Sequence, residues 1–565
     1  MGSTPKEGLI ALVGAHLAGV AGLLLAPGPW RERLGRLDAA VLGSVAALLL
    51  AAPHWVLFLQ TLSHSFTLYD TPQAQFASWP HLVAYALGGA APGQPMTGVV
   101  PIALLMTAVA VLHPGRLRRS GIGLGAAICV AAMALVAFGA IPATLLLRLP
   151  LVGNIHQVSL TFLGATVAPL LVVAGVGLAA ATREVGAGTP LRTVVAISAG
   201  TVLLTMLVPG GPWSAAGLLA TAVVFASALA MLAIGVLVAN PTASAVLATG
   251  AALSAAVFTG GLQIETGVPA MDAVLIQPRP RADLDARSPA LRALPPDAPE
   301  PYRVAPIEAV MFPGTQAYWG IESVGGPDAL RLPAIESLSD AAGVERTAWG
   351  WWTVLHTDAL ARVAPYLDML NVRYLVARPD QAPAGQPMLS LNAPDLVRVV
   401  ERPSAWPRAF AVAGVGEHRG VTEFARRLQE SSGPFASVDA QDPSAVAAVR
   451  GLPRTGAVTP AHRYALTPNS TSFDVETTGS GVAVLAEGYV EDAFDVTLNG
   501  QNVAYFRVNH ALKGIRIPSA GTWHVVFTYR PNGWATTWLV SVLGMTGVAT
   551  LVLASTLLRL SVNRH

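Results

Sequence analysis

The stretch WRERLGRLDAAVLGSVAALLLAAPHWVLFLQ, residues 30–60, decides how this chain is read, because three arginines in a short turn precede a long apolar run. Arg31, Arg33 and Arg36 mark that turn. Arg116, Arg118 and Arg119 mark a second such loop, and Arg183 and Arg192 a third. Eight of the ten Lys/Arg in residues 1–263 therefore lie in three loops. The apolar stretches between them run to about 17–25 residues, the length a helix needs to cross roughly 30 Å of hydrocarbon. Every second loop is basic, and the positive-inside rule assigns such loops to the cytoplasm.

Nine spans are expected on this pattern, at 8–26, 39–61, 98–113, 120–140, 158–181, 193–209, 216–239, 244–263 and 534–558. The expected fold class is an α-helical polytopic membrane protein of about nine spans. An extracytoplasmic α/β plus β-sandwich domain is inserted before the last span. The expected divisions are a membrane domain at 1–263 (about eight spans), a linker at 264–301, an α/β domain at 302–454, a β-sandwich at 455–533, a transmembrane helix at 534–558 and a cytoplasmic tail at 559–565. This places the N-terminus and the large domain outside the inner (cytoplasmic) membrane and the C-terminus inside it. Trp534 and Trp538 suit an interfacial aromatic belt at the mouth of the last span.

Composition supports the division. The chain is 53% apolar and only 12% charged, about half the charge of an ordinary soluble protein. No basic stripe points to nucleic acid as a partner; the lipid bilayer is the partner the pattern implies. Cys129 is the single cysteine and lies in an apolar stretch, so neither a disulfide nor a thiolate metal site is available. No expected span carries a central Asp, Glu, Lys or Arg, which disfavours an ion-coupled transporter. His54, beside Pro53, reads as a neutral histidine at a proline kink.

The outer segment shows its own patterns. Residues 302–410 alternate helical and strand character, with LNVRYLVAR at 370–378 reading as a strand. From 455 to 530, SFDVET, GVAVLAEGY, FDVTLNG, NVAYFRVN, KGIRIP and TWHVVFTYRP read as short strands. Asn499-Gly500 is a hairpin signal, because both turn positions demand positive φ.

Four of these stretches resemble the bacterial YfhO family, which is assigned to the GT-C glycosyltransferase superfamily. They are Arg303-Val304 with WGIESVGGPDAL, then LNVRYLV at 370–376, WPRAFAV at 406–412, and LAEGYVEDAFDVTLNGQNVAYFRVNHALKGIRIPSAGTWHVVFTYRP before the last span. The family's "GW" turn is replaced here by Glu491-Asp492-Ala493-Phe494. Its usual N-terminal membrane portion is missing. The resemblance implies a role in cell-envelope glycan transfer from a polyprenyl-phosphate sugar, with a separate N-terminal membrane partner or larger assembly completing the catalytic site.

Candidate site residues follow from what such transfer needs: a carboxylate to activate a hydroxyl and cationic groups for a phosphate leaving group. Asp70 is the acid of the outer loops, and as a catalytic base it competes with a plain turn role before Thr71-Pro72. His64, Tyr69, Trp79, His81, Arg148 and His156 are substrate-binding candidates in the same loops. Arg148 equally suits a lipid-headgroup contact, and Trp349, Trp351 and Trp352 a core as much as a sugar platform. Arg303, Arg373 and Arg408 read as structural cations that pair with the domain's acids. No cofactor is evident, and no pattern of ligands supports a divalent metal. The rival class is a non-catalytic membrane-anchored accessory, or structural subunit, whose outer domain binds a glycan or a protein partner.

Overall fold

The computed structural model describes residues 5–65 except 26, then 107, 110–111, 114–148 except 147, and 158–183. It resumes at 289 and runs to 562, with breaks at 293, 296–297, 309, 311–315, 317–318, 326–330, 347–352 and 382–397. The chain divides into two compact units, Met1–Val45 with Tyr69–Arg279 and Ala46–Leu68 with Pro280–His565.

In the first unit the longer described helices are α1 (Pro5–Leu25), most of α2 (Trp30–Leu50), α4 (Gly121–Ala137) and α5 (Val158–Arg183). Ser120 caps α4 by accepting from the Gly123 amide at 3.1 Å, which satisfies one of the free N–H groups of the first turn. Small residues let α1 and α4 meet closely. A Cβ on Gly125 would overlap the Ala18 carbonyl and the Gly22 backbone, and the Cys129 thiol donates to Gly14 O at 3.2 Å.

In the second unit, the short helix α3 (Ala52–Ser63) lies against the long terminal helix α9 (Trp534–Val562). Ser541 Oγ donates to Leu50 O at 3.0 Å and Gln60 Nε2 to Asn532 O at 2.6 Å. A Cβ on Gly544 would crowd Leu49 and Leu50.

The nine-span fold class does not survive. Among the described residues one helix, Trp534–Ala554, is long and apolar enough to cross a membrane, or two if the bent pair Val41–Leu50 and Ala52–Ser63 counts as one span. The expected span 39–61 is broken by a 65° bend. The cause is local: Pro53 has no N–H and sits in the first turn of α3, so the helical ladder stops at Ala51. Val13–Leu25, Gly121–Ala137 and Ala165–Gly177 are shorter apolar helices. Lys6 and Glu7 occupy the first turns of α1, and the 17 residues of α4 rise only about 26 Å. The expected spans at 98–113, 193–209, 216–239 and 244–263 fall outside the described residues apart from 107, 110 and 111.

The globular part of the second unit is layered. β1 (Arg303–Pro306) runs parallel to β2 (Val372–Ala377), which pairs antiparallel with β3 (Arg398–Glu401). The helices α6 (Pro333–Ala341), α7 (Leu360–Met369) and α8 (Gly420–Glu430) pack with it. Asn371, at φ 62°, turns α7 directly into β2, and its Nδ2 donates to Trp406 O at 2.8 Å. A left-handed residue after a helix end is a normal stop signal, and Asn tolerates it.

A five-stranded antiparallel sheet forms the middle layer. It contains β4 (Ala409–Val412), β7 (Val458–Pro460), β10 (Gly481–Gly488), β13 (Tyr505–Val508) and β14 (Leu512–Ile517), in the order β13-β14-β10-β4-β7. Strands from both sides of Arg454 thus share one sheet. Val482, Val484 and Ala486 of β10 face the α/β layer, beside Phe410, Val363 and Leu367. Ala483 and Leu485 face the other way, toward Phe473 and Phe527. A strand buried on both faces reads as a continuous apolar run, as GVAVLA does.

The outer layer is a second five-stranded sheet of β8 (His462–Thr467), β9 (Ser470–Thr477), β11 (Phe494–Leu498), β12 (Gln501–Asn502) and β15 (Gly521–Tyr529), ordered β8-β9-β15-β11-β12. Leu498 pairs with Gln501 across the Asn499-Gly500 turn, at φ 49° and 80°. One further pair, β5 (Val415–His418) and β6 (Ala436–Asp439), runs parallel at the side of the α/β layer.

Candidate functional site

The sequence-predicted residues fall mostly outside the described chain: Asp70, Tyr69, Trp79, His81 and His156 are among these, as are Trp349, Trp351 and Trp352. His64 closes α3 and is exposed, its Nδ1 2.9 Å from Gln60 O of the same helix. Arg148 is exposed in a turn, with its backbone amide donating to Leu145 O at 3.2 Å. Both have the local contacts of helix ends.

The chemistry of the described residues lies elsewhere, at the seam between the α/β layer and the two sheets. Arg408, directly before β4, is 5% exposed and spans two carboxylates: Nη1 donates to Glu322 Oε2 at 2.7 Å and Nη2 to Glu487 Oε1 at 3.0 Å. Glu487 lies at the end of β10 and also accepts from Thr471 Oγ1 at 2.9 Å and Lys513 Nζ at 3.0 Å. Lys513 Nζ sits 3.4 Å from the Phe494 ring centroid, a cation–π contact inside the fold. Burial alone would raise the Glu487 carboxyl, but Lys513 and Arg408 prevail and hold it down at about 2. Arg303 of β1 donates to Leu370 O at 2.9 Å and Ala486 O at 2.7 Å, and lies 3.4 Å from Glu322. Its guanidinium is lowered to about 10, first by burial and then by the nearby Arg408. Arg373 pairs with Glu401 at 3.3 Å. The three family-like arginines are therefore ion-paired cations of the framework.

Beside this network opens a cavity of 320 Å³. Arg303, Ser323, Arg331, Glu336, Ser339 and Tyr366 supply its polar wall, and Leu332, Ile335 and Leu355 part of its apolar one. Arg331 Nη1 donates to Glu336 Oε2 at 3.0 Å. The Tyr366 phenol is pushed up to about 12, chiefly by burial, so it stays a neutral donor. Guanidinium, carboxylate and hydroxyl groups among an otherwise apolar lining suit a ligand with both polar and apolar faces.

A second cluster was not legible in the sequence. His418, Asp439 and His510 bring one ligand-type atom each to within 4.8 Å of one another. They lie 21 and 71 positions apart (418 to 439, 439 to 510) and match no metal-ligand spacing. Only the pairing of β5 with β6, which sets His418 opposite Asp439, and the left-handed turn at Asn509 and His510 unite them.

No family model matches the chain, and no curated protein sequence matches it. A solved structure, the cryo-EM structure of the arabinofuranosyltransferase AftD from Mycobacteria, is similar over 94% of this chain at 13% identity and a TM-score of 0.30. This chain spans 46% of that one. The similarity is to a glycosyltransferase and does not single out the YfhO family.

Proposed function

We propose that this protein is a membrane-tethered accessory of cell-envelope glycan assembly, held in the bilayer through α9, with its layered domain on the extracytoplasmic side. The observation that carries the reading is the splice between domain and tether. β15 ends at Tyr529 and the 29-residue α9 starts at Trp534, leaving four residues between a packed sheet and an apolar rod. The rod rises about 43 Å, more than the roughly 30 Å hydrocarbon layer. Its Leu539, Leu543 and Leu553 are each about 60% exposed, as lipid-facing residues are. So short a link holds the domain against the headgroups, where it meets a lipid-linked or surface glycan. The cavity beside Arg331, Glu336 and Tyr366 is the glycan-binding surface of this reading, and the four family-like stretches support the glycan context.

Two experiments test it. Removing residues 534–562 should release the domain from the membrane fraction, and protease added to intact spheroplasts should digest it; digestion only after lysis would overturn the orientation. Ser323→Trp should fill the cavity and abolish binding of envelope oligosaccharides with thermal unfolding unchanged. Undiminished binding would remove the cavity from the proposal. The transferase reading has its own discriminator: loss of glycan transfer in Asp70→Asn, at normal expression, would replace the accessory with an enzyme.

A further inference from the structure

The geometry points to a binding site for one divalent transition-metal cation, of the zinc class, formed by His418, Asp439 and His510. Nothing in the glycan-binding reading requires it, and it lies on different residues.

Three observations carry it. First, His418 is 1% exposed, its Nδ1 is 2.8 Å from Ser437 Oγ, and its Nε2 is buried without a hydrogen-bond partner. A buried, unpartnered ring nitrogen costs free energy, and a metal bond would remove that cost. Second, His510 has the complementary arrangement: its Nε2 is 2.9 Å from Ser337 Oγ, which leaves Nδ1 for the site. A hydrogen bond on the far nitrogen is the usual way a ligating histidine is oriented and its tautomer fixed. Third, the backbone is committed to this placement. Asn509 and His510 both adopt positive φ, 49° and 64°. Asn509 is tied down by Ser437 N donating to its Oδ1 at 2.8 Å, and by its own Nδ2 donating to Phe435 O at 2.7 Å. Two consecutive non-glycine residues in the left-handed region are costly, and such strain persists only where the surroundings impose it.

The donor set identifies the ligand class. Two imidazoles and one carboxylate match three-ligand zinc and related transition-metal sites, whereas magnesium and calcium take oxygen donors. Burial disfavours a charge on either imidazole, and Arg507 acts in the same direction on His510. Zinc bonds of about 2.0–2.1 Å would set neighbouring donors roughly 3.4 Å apart. Donors now within 4.8 Å of one another would close to that separation on binding. Asp439 supplies one negative charge and Glu423 acts on His418 in the same sense, while Arg427 and Arg507 on neighbouring elements oppose the cation. The bound ion would clamp the β5–β6 pair to the turn between β13 and β14.

The test uses the full chain in detergent, carried on a tag without histidine and stripped with chelator. Cobalt(II) titration should give one equivalent and visible d–d bands of low coordination number, and zinc should displace it and raise the unfolding temperature. His510→Gln and Asp439→Asn should each weaken zinc binding by about 100-fold, Ser437→Ala by about 10-fold, and a control His64→Gln not at all. Because buried His418 variants risk misfolding, the partly exposed His510 carries the decision. Substoichiometric binding, or affinity unchanged in both His510→Gln and Asp439→Asn, overturns the site. Saturation by magnesium or calcium in preference to zinc overturns the assigned class.

Discussion

In the helical unit, Gly125 stands where any side chain would overlap the Ala18 carbonyl and the Gly22 backbone. In the layered domain the corresponding central positions hold Phe410, Phe473 and Phe527, none more than 1% exposed. The first arrangement gains from close backbone approach, which is effective where neighbouring apolar surfaces need no shelter from water. The second gains from taking large apolar surface out of water, about 1.5–3 kcal/mol for each such side chain. Polar groups divide the same way. The layered domain encloses Arg408 and Lys513 and pairs both with Glu487. The described helices instead leave leucines such as Leu17, Leu48 and Leu543 exposed.

The largest expected effect strikes the polar interior that only the layered domain has. Arg408→Met removes the guanidinium between Glu322 and Glu487 and leaves Glu487 buried with Lys513 and Thr471. Breaking one partner from a buried pair typically costs about 3–5 kcal/mol. Denaturant unfolding followed by tryptophan fluorescence reads it, and a loss below about 1 kcal/mol would make this network no different from a surface pair.

Acid probes the same network without mutation. Glu487 is held near 2 against an ordinary carboxyl value of 4.5. A depressed folded-state pKa means that the unfolded chain takes up the proton first. The stabilisation is thus complete above about pH 4.5 and disappears as pH falls toward 2, a loss of roughly 3 kcal/mol. The groups facing this carboxylate are Lys513, Arg408, Arg303 and Thr471. Glu487→Gln should flatten the acid limb of the stability curve. An unchanged limb would assign acid sensitivity to other carboxylates.

Much of the layered domain could be read ahead of the structure, because its cues are local. Asn499-Gly500 dictates its turn through backbone sterics alone, and the alternation in TWHVVFTY follows from one buried face. The cues failed where a non-local partner decides. AFAV reads as a strand and is one, but its apolar run does not say which two layers cover β4. The lone acid in LAEGYV gave no sign that three cations and a hydroxyl would surround it. His418, Asp439 and His510 meet only through strand pairing and a left-handed turn. Among the described residues the expected span 39–61 departs for a further reason: hydropathy averages over the kink that Pro53 signals, and the helix bends there by 65°. Tyr69, Asp70, Trp79, His81 and His156 rest on loop composition and lie outside the described residues.

A smaller effect sharpens the other side of the comparison. Gly125→Val would push α4 away from α1, because the added atoms meet backbone at Ala18 and Gly22 and neither can rotate aside. Overpacking of this kind costs about 1–3 kcal/mol, read as lower thermal stability in detergent with the fluorescence transition of the layered domain unmoved. A simultaneous drop in both transitions would show that the two units unfold together.

The smallest effect marks the lower bound for charge in this molecule. Arg426 and Glu430 lie one turn apart on α8, paired at 2.9 Å with side chains 63% and 62% exposed. Water screens the pair, and holding two long side chains in register costs entropy. Arg426→Ala should therefore cost only about 0.3–0.5 kcal/mol, and added salt should abolish the difference from the native chain. The same ion chemistry at Arg408 costs several times more because Arg408 is 5% and Glu487 17% exposed, so little water replaces the lost partner. An Arg426 effect approaching that of Arg408 would mean that burial is not what separates the two pairs.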